Sequence, residues 1–180
     1  MAIYHLSVKI ISRSSGRSSV AAAAYRSGDI LTNEWDGITH DYSKKRWIEH
    51  TEIILPPNAP EEFKDRSTLW NAVEMAEKSS NAQLAREVEL ALPIELSPQE
   101  RLSLVRSYIK ENFTSKGMCA DFAIHNPPLT DDRGRPVDLN GNPTNDISKM
   151  IFRNPHAHIL LTMRPLSMDG KWEPKSRTVY

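Results

Sequence analysis

The chain has 180 residues and a single cysteine, Cys119, which excludes an internal disulfide framework. Its place inside an alternating stretch, residues 117–125, makes it a buried and inert thiol rather than a nucleophile. Long apolar runs are also missing. Nothing is long enough to span a bilayer, and the alanine-rich residues 20–24 are too short, and wrongly flanked, for a leader with a cleavage site. With 39% hydrophobic residues, these absences describe a soluble globular chain, expected in the cytoplasm. Net charge is absent as well: 23 Lys and Arg against 23 Asp and Glu exclude a globally basic, sequence-indifferent nucleic-acid binder. The most informative absence is local. Residues 1–28 contain Lys9, Arg13, Arg17 and Arg26 but no Asp or Glu; Lys44, Lys45 and Arg46 form a second basic cluster, whereas residues 61–111 are rich in acids. A neutral chain can therefore carry a local phosphate-binding face, with these cations as candidate contacts.

What is present is alternation. Period-two patterns predict strands at residues 3–11, 48–55, 85–92, 119–125 and 156–163. Ser18 or Ser19 can cap a slim, alanine-rich helix that ends at Gly28 and holds Tyr25 near its end. Residues 61–79 read as a helix or a broken pair of helices with Phe63, Leu69, Trp70, Val73 and Ala76 on the apolar side. Ser97-Pro98-Gln99-Glu100 is a capping box with proline at the first helical position, and Gly117 is the stop. Residues 29–46 read as irregular structure or a short hairpin arm carrying Trp35 and Tyr42, and residues 126–153 as a long loop or decorated hairpin. The expected fold is an α/β sandwich on a mainly antiparallel central sheet flanked by helices, one domain over residues 1–180. The N-terminal helix should lie beside the histidine-bearing face, with helices 61–79 and 97–116 covering the other. The helix at 97–116 lies between two strands and so makes a βαβ-like unit.

The chemistry concentrates in Asn154-Pro155-His156-Ala157-His158. On a strand, His156 and His158 project to one face while Ala157 projects to the other. Two imidazoles are an incomplete metal site, and His125, at the end of the preceding strand, is the third ligand if the two strands pair antiparallel. Three neutral ligands leave a divalent ion its full charge for polarising a phosphate. Asp121 could accept the other ring proton of His156 or His158 across the sheet. Glu87 and Glu89 share one face of the 85–92 strand. Tyr25, from its own segment alone, is a helix-end aromatic packed on the core.

Taken together, several ordered segments resemble the N-terminal relaxase domain of the MobA/MobL (MobQ-type) plasmid mobilisation proteins, of the HUH group of single-strand DNA endonucleases. They are Met1-Ala2-Ile3-Tyr4-His5 with Ser18-Ser19-Val20-Ala21-Ala22-Ala23-Ala24-Tyr25-Arg26-Ser27-Gly28, Ala85-Arg86-Glu87-Val88-Glu89-Leu90-Ala91-Leu92-Pro93, Gly117-Met118-Cys119-Ala120-Asp121-Phe122-Ala123-Ile124-His125, and the run from Asn154 to Arg164. The resemblance covers nearly all of the chain and implies that Tyr25 attacks a scissile phosphate while His125, His156 and His158 hold a divalent ion. That ion is expected to be Mn2+ or Mg2+, with Ni2+ or Zn2+ able to take its place in a crystal. A free phenol ionises only near about 10, so Glu87, with Glu89 as fallback, is the candidate to assist proton removal. Single-stranded origin-of-transfer DNA is the implied substrate; accessory relaxosome proteins and a coupling protein are the implied partners. Trp35, Trp47 and Trp172 are candidates for base stacking or core packing. Such domains usually open longer polypeptides, so a fragment of a longer protein is expected. A rolling-circle or transposition endonuclease, a metal-dependent hydrolase and a non-enzymatic single-stranded DNA-binding module are the rival readings.

Overall fold

The computed structural model describes residues 5–175; residues 1–4, part of the first quoted segment, and residues 176–180 lie outside that span. Five strands form the main sheet: β1 (Leu6–Ser12), β4 (Ile48–Ile54), β5 (Gln83–Ala91), β6 (Ala120–His125) and β7 (His156–Thr162). Their order is β1-β5-β7-β6-β4, and every neighbouring pair is antiparallel. Between β1 and β4 come α1 (Ser19–Ser27) and a two-stranded hairpin, β2 (Ile30–Thr32) with β3 (Thr39–Asp41). α2 (Arg66–Ala76) and α3 (Pro98–Asn112) complete the elements. Among the described residues no helix is long and apolar enough to cross a membrane.

β5 and β6 are both antiparallel to β7 and hence parallel to each other, with β7 between them. The β5-α3-β6 passage is therefore a βαβ crossover whose gap is filled by the last strand. This insertion sets the site. It places β7 beside both β5 and β6, so residues from three segments distant in sequence meet on one face.

Alternation divides the core in two, as expected. Val88, Phe122, Ile124, Ala157, Ile159 and Leu161 pack under Val105 and Ile109 of α3. The opposite face carries Ala85, Cys119 and Leu160, packed against Val20, Ala23 and Ala24 of α1. The helix at 61–79 is a broken pair, a 3-10 turn over Glu61–Lys64 followed by α2. Its position differs from the expectation: Leu69, Trp70 and Val73 join the α1 core, so α2 covers the histidine-bearing face rather than the α3 face. An apolar stripe requires a covered side but does not say which face of the sheet provides it. Trp70 is fully buried, and each large apolar side chain so buried contributes roughly 1.5–3 kcal/mol.

The caps follow the sequence. The Ser18 side chain accepts the amide of Ala21, and Gly28 ends α1 at φ 76°. A side chain at Gly28 would strain that left-handed turn and place a Cβ 2.8 Å from the Ile48 side chain. The Ser97–Glu100 capping box is formed in both directions. α3 stops at Asn112, and the remainder of the expected 97–116 helix tightens into a 3-10 turn over Thr114–Lys116 before Gly117.

Candidate active site

In the β6–β7 register His125 faces His156 directly, and Ala123 faces His158. The three imidazoles consequently project together. Their ring centroids lie 5.5, 4.8 and 4.9 Å apart for His125–His156, His125–His158 and His156–His158. Each can offer a ring nitrogen, and these nitrogens lie within 4.8 Å of one another. That is a spacing a single ion can bridge after small side-chain adjustment.

The protonation pattern suits ligation. Burial pushes the His125 imidazole down to about 3 against the pull of its bond to the Arg26 carbonyl, and burial likewise lowers His156. Neutral imidazoles keep a lone pair for a metal. His156 donates Nδ1–H to the Asn154 carbonyl at 2.8 Å, leaving its lone pair on Nε2. His125 donates Nε2–H to the Arg26 carbonyl at 2.8 Å, leaving its lone pair on Nδ1. Nδ1 of His158 faces Oε1 of Glu87 at 3.4 Å and Oε2 of Glu89 at 3.8 Å. The His158 Nδ1 and Glu87 Oε1 atoms are buried and have no hydrogen-bond partner. A slight approach would satisfy both and direct the His158 lone pair away from the carboxylates, as metal-bound histidines require. The donor set thus fits a divalent ion.

Arg26 connects the parts. Its carbonyl receives His125, its Nη2 donates to Glu87, and its guanidinium carbon lies 4.8 Å from the Tyr25 ring centroid. Burial raises the Glu87 carboxyl, but His158 and Arg26 together hold it below the usual range, and it stays ionised. Neither Glu87 nor Glu89 is a hydrogen-bond partner of the Tyr25 hydroxyl, in contrast to the simplest form of base assistance. Tyr25 is 45% exposed, enough for an external phosphate to reach it. Its ring lies edge-on to Tyr42, with centroids 5.1 Å apart, and the Lys45 ammonium lies 3.5 Å from its centroid. Tyr25, Lys45 and the three histidines line one open cavity of about 380 Å³, together with Lys9, Arg26, Arg46, Trp47, Glu87 and Glu89.

Comparison with known proteins identifies the lineage. The MobA/MobL family model matches residues 17–179. The chain belongs to the MobA/MobL family. Mobilization protein MobL of Acidithiobacillus ferridurans is 40% identical, over 94% of this chain and 45% of that protein. The probable conjugal transfer protein TraA of Sinorhizobium fredii is 37% identical, over 94% of this chain and 14% of that protein. The probable mobilization protein MobA of Bifidobacterium longum is 37% identical, over all of this chain and 28% of that protein. The chain thus spans less than half the length of these relatives. A solved chain from work on the molecular basis of vancomycin resistance transfer in Staphylococcus aureus superposes with a TM-score of 0.78 at 32% identity, covering 98% of this chain and 78% of that one.

Within this MobA/MobL chain, some of the residues singled out from sequence lie elsewhere. Asp121 shares the histidine face but accepts from Arg66 Nε and Nη2 at 2.7 and 2.9 Å and from Trp70 Nε1 at 2.9 Å. It stands opposite Leu160 in β7, two residues along the strand from His158, and the carboxylates beside Nδ1 of His158 are those of Glu87 and Glu89. Arg13 is spent on structure: it bonds the Glu74 carboxylate and the carbonyls of Glu74, Glu77 and Ser79. Trp172 stacks on Phe63, centroids 5.4 Å apart, and packs against the core. Lys44, Arg46, Lys9 and Arg17 are exposed. Sequence reading missed the part of Arg26 as a connector and the backbone of Trp47, which adopts φ 70° at the cavity wall. A positive φ in a non-glycine aromatic carries no sequence signal and marks a position held by its surroundings.

Proposed function

We propose that this domain nicks and rejoins single-stranded plasmid transfer-origin DNA by transesterification. The observation that carries this reading is the shared cavity: an exposed tyrosine and three imidazoles with converging nitrogens line the same opening. Tyr25 Oη attacks the phosphorus; the bond to the 3′-oxygen breaks, leaving a 3′-hydroxyl and a 5′-phosphotyrosyl link. One phosphodiester replaces another, so the 3′-hydroxyl can reverse the transfer without nucleotide hydrolysis. A divalent ion held by His125, His156 and His158 would supply positive charge to the scissile phosphate as charge builds in the transition state. Three imidazoles favour manganese over magnesium.

The residues of the chain do the remaining work. Lys45 and Arg26 flank the Tyr25 ring and counter the negative charge of the phosphate and of the attacking oxygen. Glu87, bonded to Arg26 and facing His158, orients both. Among the described residues the Glu89 carboxylate has no hydrogen-bond partner, lies 3.8 Å from Nδ1 of His158, and is the base left to take the phenolic proton through water. Lys9, Lys44 and Arg46 offer phosphate contacts around the opening. The implied partners are origin DNA, accessory relaxosome proteins and a coupling protein.

Single-stranded origin DNA labelled at either end and incubated with Mn2+ tests the reading. Nicking by this route gives a protein-linked 3′-side fragment that protease releases, and a free 3′-hydroxyl on the other. Two free ends would mean a water nucleophile and a hydrolase; retention without cleavage would mean a binding module.

A further inference from the structure

A second cavity, about 560 Å³, is lined in part by Lys9 and Arg26, which also line the first. Its walls come from the loop after β1, the first turns of α1 and the β2–β3 hairpin. We propose that this cavity seats one unpaired nucleotide of the bound strand, its base against Trp35 and its phosphate on Lys9 and Arg17. The proposal rests on the DNA-nicking reading and adds the place where a base near the nick is held.

Four observations support it. Trp35 is 41% exposed at the cavity, an aromatic surface that water covers only at a cost. The Arg13 guanidinium lies 3.8 Å from the Trp35 ring centroid and is itself fixed by four hydrogen bonds to α2 and the segment after it, so the ring is held in place. The hairpin is tied to α2, since the Glu34 amide donates to Asn71 Oδ1 at 2.8 Å and Asn71 donates to the Thr32 carbonyl at 3.0 Å. The cavity is therefore formed before any ligand arrives, which reduces the ordering cost of binding. The side chains of Lys9 and Arg17, both exposed at the rim, make no ion pair or hydrogen bond among the described residues, in contrast to Arg13 and Arg26. Aromatic surface and free cations together match the chemistry of an unstacked nucleotide rather than of an apolar ligand.

The test uses Tyr25→Phe protein, which cannot react, and single-stranded oligonucleotides tiling the transfer region of its plasmid. The tightest binder is then scanned with single abasic sites, and equilibrium affinity is read by fluorescence anisotropy. One position close to the nick should lose about tenfold in affinity when its base is removed. That penalty should vanish in Trp35→Ala and persist in Trp35→Phe, which keeps an aromatic face and controls for folding. A scan with no such position, or a penalty that survives Trp35→Ala, overturns the proposal. Because the scan reads binding, its outcome separates from nicking: covalent adduct with a flat scan removes the nucleotide subsite alone, and a positive scan without adduct from wild-type protein removes the nicking reading alone.

Discussion

The ammonium of Lys45 lies 3.5 Å from the centroid of the Tyr25 ring and donates to the backbone carbonyl of the same tyrosine at 2.6 Å. One residue thus fixes the end of α1 and puts a positive charge on the Tyr25 ring. Burial, with repulsion from Arg26, pushes the Lys45 ammonium from 10.5 down to about 8, although Glu87 opposes the shift. Its charge is therefore present at neutral pH and lost just above it.

DNA affinity should fall as pH rises through about 8. Lys45→Arg, which stays charged, should remove that step. Titration of labelled single-stranded DNA between neutral pH and pH about 9.5 checks this, and an equal step in both proteins would remove Lys45 as the cause. The sign for stability is opposite: the folded protein binds fewer protons than the unfolded chain between about 8 and 10.5, so folding should gain from rising pH in that window.

Glu87→Gln should weaken metal binding by about 10–100-fold, the usual effect of losing a carboxylate that orients a ligating histidine. Calorimetric titration with Mn2+ measures it. His125→Ala in the same titration should abolish specific binding, because two imidazoles remain.

Asp121→Asn should act on stability instead. It removes a buried carboxylate that pairs with half-buried Arg66, at up to about 3 kcal/mol because Asp29 still pairs with Arg66. Denaturant unfolding reads that loss, and Mn2+ affinity of the folded variant should match wild type. A large loss of metal affinity with full stability would return Asp121 to the metal site.

Replacing the exposed Lys44 and Arg46 by alanine should lower DNA affinity and make its salt dependence shallower. Loss of two phosphate contacts corresponds to about 1.4 in the log–log slope on single strands. An unchanged slope would place the strand elsewhere.

Much of the fold was legible because its strands alternate. The patterns at 85–92, 119–125 and 156–163 correctly separate Glu87, Asp121, His125, His156 and His158 from the Val88, Phe122 and Ile159 side of the sheet. Serine caps and glycine stops likewise marked α1 and the start of α3. What stayed hidden depends on partners distant in sequence. Arg66 and Asp121 are 55 residues apart, and their ion pair draws α2 onto the histidine face. Arg13 and Arg26 looked like free cations, yet the carboxylates that engage them, Glu74 and Glu87, come from other elements. Charge pattern shows which residues are basic; only packing shows which remain available to DNA.

The proposed nicking reaction needs Tyr25 as its nucleophile, and Tyr42, whose ring centroid is 5.1 Å away, is the natural control. The direct measurement is the fraction of end-labelled, single-stranded origin DNA that becomes covalently attached to protein in Mn2+, compared for wild type, Tyr25→Phe and Tyr42→Phe. Attachment should disappear in Tyr25→Phe and persist in Tyr42→Phe; undiminished attachment in Tyr25→Phe would contradict the account.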